Sequence, residues 1–476
     1  MTLTAHQAFV GGKWVDSADG RTTSIINPAT GEQLAEVACC TPDQADQTVE
    51  LAAQALPAWL KKMPRERAEL LLELAAILDQ NSEELAQIES RNVGKPIALA
   101  REEMGLSADH LRFFAGAARL LEGRSAGEYL SGYTSMIRRE PIGIAVGICP
   151  WNYPLNMAVW KMGPALAAGN VSILKPSRQT PLSLLKFCEL AQDVIPPGVL
   201  SVITGEGKAV GARLVTHPKV GIVSLTGDTT TGKWLAGAAG ETVKRVHLEL
   251  GGKAPVLVFN DADPDAVAAG VRLAGYVNSG QDCTAATRVI VQSRLYDTLV
   301  AKLIPAIESL KVGDPTEGDD IEMGPMVSRS QQERVLGFIE RAEHASVLTG
   351  GEAIDSKGFF VKPTLVAGVS QTDELVQDEV FGPVVTVQSF SRDEEGLAMA
   401  NDVRYGLSAS VWTRDVGRAL RTVGEMDYGT VWINDHIPFL SDMPHGGFKE
   451  SGYGKDLSMY SLEDYTRIKH VMAKLD

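Results

Sequence analysis

The chain has 476 residues, 44 % of them apolar and 22 % charged, a mixture that supports two or three globular domains and excludes a disordered or fibrous chain. Its net charge of −15, with both signs interspersed, argues against nucleic acid or an anionic membrane as a partner. The five cysteines, Cys39, Cys40, Cys149, Cys188 and Cys283, form neither a metal ladder nor a disulfide framework and point to a reducing compartment.

Residues from Met1 to His6 show no basic region ahead of an apolar run, and no uninterrupted apolar stretch reaches transmembrane length. A cytoplasmic protein is therefore expected. Phe9 to Val15 reads as short strands, and Asn27-Pro-Ala-Thr-Gly31 as a turn. Helices follow between residues 42 and 122. Asp43 is placed to cap the first, Pro64 opens the second, and Gly94-Lys-Pro96 ends the third. A long fourth helix carries Asp109, Phe113 and Phe114. The segment Ser135 to Glu140 alternates like a strand.

From residue 143 the pattern changes to alternating β and α. Gly143 to Cys149 reads as a strand, Pro150-Trp-Asn-Tyr-Pro154 as a tight turn and Val159 to Ala168 as a helix. Val171 to Pro176, Val199 to Ile203 and Gly221 to Thr226 are further strands, with a helix from Leu182 to Val194. After Lys253 a second such unit begins. Val256 to Phe259 is a strand, Ala266 to Ser279 a helix, and Arg288 to Gln292 a strand. Leu295 to Leu310 is a helix, and Gly313 to Gly324 an acidic loop. Val384 to Val387, Gly406 to Trp412 and Gly429 to Asn434 are strands. The fold class expected is α/β, a doubly wound parallel sheet in each unit.

Two short stretches carry the chemistry. Asn278-Ser-Gly-Gln-Asp-Cys283-Thr284 puts a thiol after a Gly-Gln pair, and Leu248-Glu249-Leu-Gly-Gly-Lys253 puts a carboxylate before a double glycine. Taken alone, a cysteine is more often an inert buried hydrophobe. A thiol and a carboxylate, each on a glycine-punctuated turn, suggest a nucleophile and a base. In this order and spacing they resemble the signature motifs of the aldehyde dehydrogenase superfamily, and the likeness extends over essentially the whole chain.

The resemblance implies two Rossmann-like α/β domains and a small β oligomerisation arm. The dinucleotide-binding domain would comprise residues 1–122 and 142–250, the catalytic domain 251–449, and the arm 123–141 and 450–476. It implies a homo-oligomer, dimer or tetramer, whose C-terminal strand lies in Met459 to Lys469. It assigns Cys283 as nucleophile, Glu249 as the base that activates water, and Asn152 as an oxyanion donor together with the Cys283 backbone N–H. Lys161 and Asp456 would move protons from Glu249, although a plain ion pair reads equally well.

For the cofactor, NAD, the resemblance implies Ile148, Pro150, Trp151, Lys175, Ser177, Arg178, Gly207, Gly211, Gly227, Asp228, Gly232, Leu250, Glu379 and Phe381. Gly227 to Gly232 lies between a strand and a helix, where backbone N–H groups can hold a pyrophosphate. Two positions depart from the common pattern. Arg178 stands where NAD-preferring members have glutamate, and a guanidinium pairs well with a 2′-phosphate, so NADP is expected to be tolerated. Asp228 stands where serine is common; an anion beside pyrophosphate is unfavourable unless it turns away to cap the helix. No metal is implied.

Longer matches, among them Phe113 to Arg119, Ala126 to Leu130, Gly280 to Ala286, Met443-Pro-His-Gly-Gly447 and Ser451 to Ser458, look like bacterial 4-aminobutyraldehyde dehydrogenases. Such a substrate asks for an acid to meet its ammonium and aromatic walls for cation–π contact. Asp109, Asp282 and Asp442 are the candidate acids, Asp109 and Asp442 foremost. Trp160, Phe439 and His445 are candidate walls, with Thr284 beside the nucleophile. Betaine aldehyde, an aromatic aldehyde or an aliphatic one are alternatives on the same chemistry. A non-catalytic crystallin-like protein is an alternative of another class, and ester hydrolysis a side activity.

Overall fold

A computed structural model describes residues 4–121 and 126–475; the expected domain boundary at residues 122–123 lies outside them. The α/β expectation holds. The first sheet has eight strands in the order Gly452–Tyr453, Arg245–Glu249, Val220–Thr226, Ile144–Ile148, Val171–Lys175, Leu200–Val202, Ala8–Val10, Lys13–Val15. The strands from Arg245–Glu249 to Leu200–Val202 are parallel, and the outer ones antiparallel. From Ile144–Ile148 the chain first winds outward through Val171–Lys175 and Leu200–Val202. It then returns to the other side with Val220–Thr226. A crevice opens beyond the carboxyl ends of strands at such a reversal, and ligands bind there.

The second sheet runs Ser346–Thr349, Thr364–Ala367, Val384–Phe390, Ala286–Gln292, Ala254–Val258, Ser408–Trp412, Thr430–Ile433. It is parallel except for the Ser346–Thr349 edge. Its central strands are buried on both faces because helices cover both, as a parallel sheet requires. A third sheet pairs Thr466–Lys474 with Tyr133–Pro141 and that with Gly127–Leu130, all antiparallel. Among the described residues no helix is long and apolar enough to cross a membrane.

Several element boundaries differ from expectation. Thr41, not Asp43, caps the helix Pro42–Trp59, because Pro42 takes the first helical position and Gln44 completes a capping box with Thr41. Pro154 likewise starts the helix Pro154–Ala168 five residues ahead of the expected Val159. The tail expected as strand from Met459 is first a helix, Ser458–Asp464, whose Leu462 is buried; the strand begins at Thr466. The helix Pro264–Tyr276 stops short of the expected Ser279, and this last difference shapes the site.

Candidate active site

After Tyr276 the chain makes an unusual turn. Asn278 (φ 49°), Ser279 (φ 59°) and Gly280 (φ 66°) are successively left-handed. Side chains and backbone restrain the two non-glycine residues. Asn278 Nδ2 donates to the Asn152 carbonyl at 3.2 Å, Ser279 Oγ to the Gly324 carbonyl at 2.7 Å, and Gln281 Nε2 to the Asn278 carbonyl at 2.9 Å. At Gly280 a Cβ would lie 2.2 Å from the Gly382 carbonyl oxygen, so only glycine fits. The turn delivers Cys283, half-buried, into a cavity of about 810 Å³.

Glu249 ends the strand Arg245–Glu249 and points into the same cavity. The double glycine after it is explained by contact. A Cβ on Gly252 would lie 2.1 Å from the Cys283 carbonyl oxygen, and one on Gly251 would lie 2.3 Å from Glu379 Oε2. The glycines thus let the end of the first sheet close directly on two segments of the second. Glu249 is 1 % exposed, and neither carboxylate oxygen has a hydrogen-bond partner among the described residues. The Cys283 sulfur, a Glu249 oxygen and a His445 ring nitrogen all lie within 4.8 Å of one another. Burial, then the negative charges of Glu249 and Asp282, hold the Cys283 thiol well above its ordinary pKa.

The sequence profile of the aldehyde dehydrogenase family matches residues 14–471. The chain belongs to the aldehyde dehydrogenase family. This aldehyde dehydrogenase, an NAD(P)-dependent oxidoreductase, is 41 % identical to phenylacetaldehyde dehydrogenase of Pseudomonas fluorescens, over 98 % of this chain and 95 % of that protein. It superposes with a TM-score of 0.97 on betaine aldehyde dehydrogenase from Staphylococcus aureus in complex with NAD+, 34 % identical, covering 99 % of this chain and 95 % of that one. A Bacillus cereus aldehyde dehydrogenase, also an NAD+ complex, superposes at 0.97 with 38 % identity, over 99 % and 97 % of the two chains.

In the dehydrogenase the cavity is lined along one limb by Ile148, Pro150, Trp151, Lys175, Ser177, Arg178, Gly207, Gly227, Asp228, Leu250, Glu379 and Phe381. Gly211 and Gly232 stand behind this lining. A Cβ on Gly232 would lie 2.5 Å from Leu250 Cδ1, so that glycine makes room for a residue that does line it, whereas one on Gly211 would meet Lys175 Cδ at 3.4 Å in ordinary contact. Lys175 is 4 % exposed, donates to the Pro176 carbonyl at 2.9 Å and has no carboxylate within ion-pair distance among the described residues. Burial lowers its pKa to about 8. Such a group is poised to accept a polar ligand. Asp228, at the limb's lining, caps the helix Thr229–Gly240. Its carboxylate accepts from Thr231 N at 2.9 Å and from Thr231 Oγ1 at 2.6 Å. Glu379 Oε1 accepts from Gly252 N at 2.8 Å, and burial raises its pKa to about 7. The Phe381 ring stands perpendicular to Trp151 at 5.1 Å.

Asn152 is buried, and its Nδ2 donates to the Gln281 carbonyl at 2.9 Å, two residues from the nucleophile. The second N–H of the amide is left for another acceptor. Lys161 and Asp456 do not line the cavity. They form a buried ion pair at 2.7 Å, and the Asp456 backbone exchanges hydrogen bonds of 2.8 and 2.9 Å with His445. The pair therefore sits directly behind a cavity residue.

Trp160, Phe439 and His445 build one wall, with ring centroids 5.3 to 6.4 Å apart. Asp282 and Thr284 line the cavity too, but Asp282 is already engaged: it accepts from Thr284 N at 2.7 Å, Thr284 Oγ1 at 2.6 Å and Tyr153 Oη at 2.7 Å. It braces the nucleophile loop. Asp109 and Asp442 are exposed and outside the lining. Asp109 accepts from Ser441 Oγ at 2.6 Å. The sequence reading missed Tyr153, Met157, Arg334 and Arg404, all cavity residues. Tyr153 stood in the quoted turn, and its ring, 4.2 Å under the Lys95 ammonium, is fixed from behind by a residue distant in sequence. Arg334 donates to the carbonyls of Glu379 and Val380 from a helix rich in other charges, which hides it from inspection of the sequence.

Proposed function

We propose that this chain oxidises 4-aminobutyraldehyde to 4-aminobutyrate, as a step of putrescine degradation, with NAD as cofactor and with tolerance of NADP. Cys283 adds to the aldehyde carbon as thiolate. The oxygen that becomes negative is met by the free N–H of Asn152 and by the Cys283 backbone N–H; one such donor is worth about 100- to 1,000-fold in rate. NAD, when bound, supplies the acceptor for the hydride that leaves the carbon. The carbonyl is then held as a thioester on Cys283. Glu249, free of other hydrogen bonds, takes a proton from water as it attacks the thioester. The acid leaves, Cys283 is released as the thiolate with which the cycle began, and the proton on Glu249 passes on toward the Lys161–Asp456 pair.

Along the cofactor limb Lys175 and Ser177 hold the adenine ribose, and Arg178 beside them accepts a 2′-phosphate. The N-terminus of the helix Thr229–Gly240, where the Asp228 carboxylate is engaged by Thr231, would receive the pyrophosphate. Glu379 holds the nicotinamide ribose and Phe381 packs near its ring. The relatives crystallised with NAD+ support the same cofactor here. The small antiparallel sheet exposes Tyr129, Leu130, Met136, Ile468 and Met472, and copies of the chain join through it as a dimer or tetramer. A working thiol suits the cytoplasm.

The observation that supports the aminoaldehyde reading is that Asp282 lines the cavity together with the aromatic wall of Trp160, Phe439 and His445, while two further acids, outside the lining, sit beside Ser441. Asp109 accepts from Ser441 Oγ, Asp442 follows Ser441 in the chain, and Phe439 stands two residues before it. A second reading, oxidation of phenylacetaldehyde, is favoured by the 41 % identical relative of that name and by the uncharged Trp160–Phe439 wall. Rates of NAD reduction with 4-aminobutyraldehyde, phenylacetaldehyde and hexanal separate the two. The highest kcat/KM should belong to the aminoaldehyde; a preference for phenylacetaldehyde would replace the first reading by the second.

A further inference from the structure

We propose that Cys283, Glu249 and His445 together form a zinc site, and that the bound ion holds the enzyme inactive. The three donor atoms lie within 4.8 Å of one another, and His445 Nε2 is 3.6 Å from Glu249 Oε1. Tetrahedral zinc with bonds of about 2.0 to 2.3 Å sets its ligand atoms about 3.3 to 3.8 Å apart. The imidazole and carboxylate already stand at that spacing, and the sulfur has only to close by about 1 Å.

The donors are available as well as close. Both Glu249 oxygens are buried without a hydrogen bond, in a residue 1 % exposed. The His445 backbone is fixed by its paired bonds to Asp456, and its ring packs against Trp160 and Phe439, with centroids 5.3 and 6.4 Å away, beside the carboxylate. All three residues line one cavity, which gives the ion an entry path and leaves a fourth position for water. On binding, the thiol releases its proton to solvent. Thiolate and carboxylate then neutralise the dication, which removes the cost of two buried anions side by side. Sulfur and imidazole ligands select zinc over magnesium or calcium.

Binding needs only the three side chains; inhibition rests on the reading of Cys283 as the nucleophile. The test separates these. Cofactor-free protein, stripped of metal, is titrated with Co2+, and the thiolate-to-cobalt charge-transfer absorption is read; Zn2+ is then added to displace it. One cobalt per chain is expected, with the band absent in Cys283→Ser. In His445→Phe affinity should fall at least about tenfold, since even outer ligands cost that much. Glu249→Gln supplies the same comparison if His445→Phe does not fold. In parallel, NAD reduction should fall in step with zinc occupancy and return with a chelator. No charge-transfer band, or unchanged affinity in both ligand variants, would overturn the site. Full turnover at full occupancy would overturn the inhibition. A protein inactive on every aldehyde before zinc is added would sink the dehydrogenase reading and leave the titration to judge the site.

Discussion

A carboxylate oxygen of Glu249 lies 3.6 Å from Nε2 of His445, and no protein donor reaches either Glu249 oxygen among the described residues. A buried acid left without donors is costly unless its free lone pairs are used. Here they face the half-buried Cys283 across the cavity. The predictions below follow from that arrangement and from the contacts that create it.

The first concerns pH. Burial and nearby anions both penalise the thiolate of Cys283, so its share rises as pH rises. Alkylation of Cys283 by iodoacetamide, mapped by peptide, should accelerate through the alkaline range. Asp282→Asn removes one anion while keeping an acceptor for Thr284, and should move that rise to lower pH. An unmoved profile would show that Asp282 does not act on the thiol.

The second concerns the double glycine. Gly252→Ala would push a methyl to 2.1 Å from the Cys283 carbonyl oxygen. A displacement of the nucleophile by about 1 Å costs about 100-fold in rate. The expected result is a loss of that order in kcat/KM, with the far-ultraviolet circular dichroism spectrum retained. Wild-type kinetics would refute the contact.

Cofactor choice turns on Arg178. Replacing it by glutamate removes a partner for a 2′-phosphate and adds a repulsive charge. The ratio of kcat/KM for NADP over NAD should fall about ten- to a hundredfold, the worth of a charge-assisted hydrogen bond. An unchanged ratio would mean that Arg178 faces no phosphate.

For the aminoaldehyde anchor, Asp109 and Asp442 are exposed, which limits each to a screened contribution. Asp109→Asn or Asp442→Asn should raise KM for 4-aminobutyraldehyde by at most about fivefold, the range of an exposed ion pair. KM for hexanal should stay put. Equal changes on both substrates would point to a packing effect.

Much of this was legible in the sequence, for identifiable reasons. Alternating apolar runs and helical stretches announce two parallel sheets. Glycines at 251, 252 and 280 announce turns, while the close approaches that require them emerge only in the fold. What the chain does with Asn278 and Ser279 was hidden, because their left-handed backbone is restrained by Asn152, Gly324 and Gln281 rather than by local propensity. Asp282 reads as a free acid beside the nucleophile until Tyr153 and Thr284 are seen to occupy it. Asp109 and Asp442 show the same limit: a sequence names an acid but not the direction in which it points. The stretch Ser458–Asp464 is too short for periodicity to tell helix from strand, and the burial of Leu462 in the main core accompanies its helical form.

The most direct test of the central claim is mass spectrometry of Glu249→Gln protein mixed with NAD and 4-aminobutyraldehyde. With the base removed, release of the acid should slow by about 100- to 10,000-fold, so that one acyl group accumulates on each chain. Peptide mapping should place that group on Cys283. An adduct on another cysteine, or rapid turnover with no adduct, would contradict the assignment of Cys283 as nucleophile and Glu249 as base.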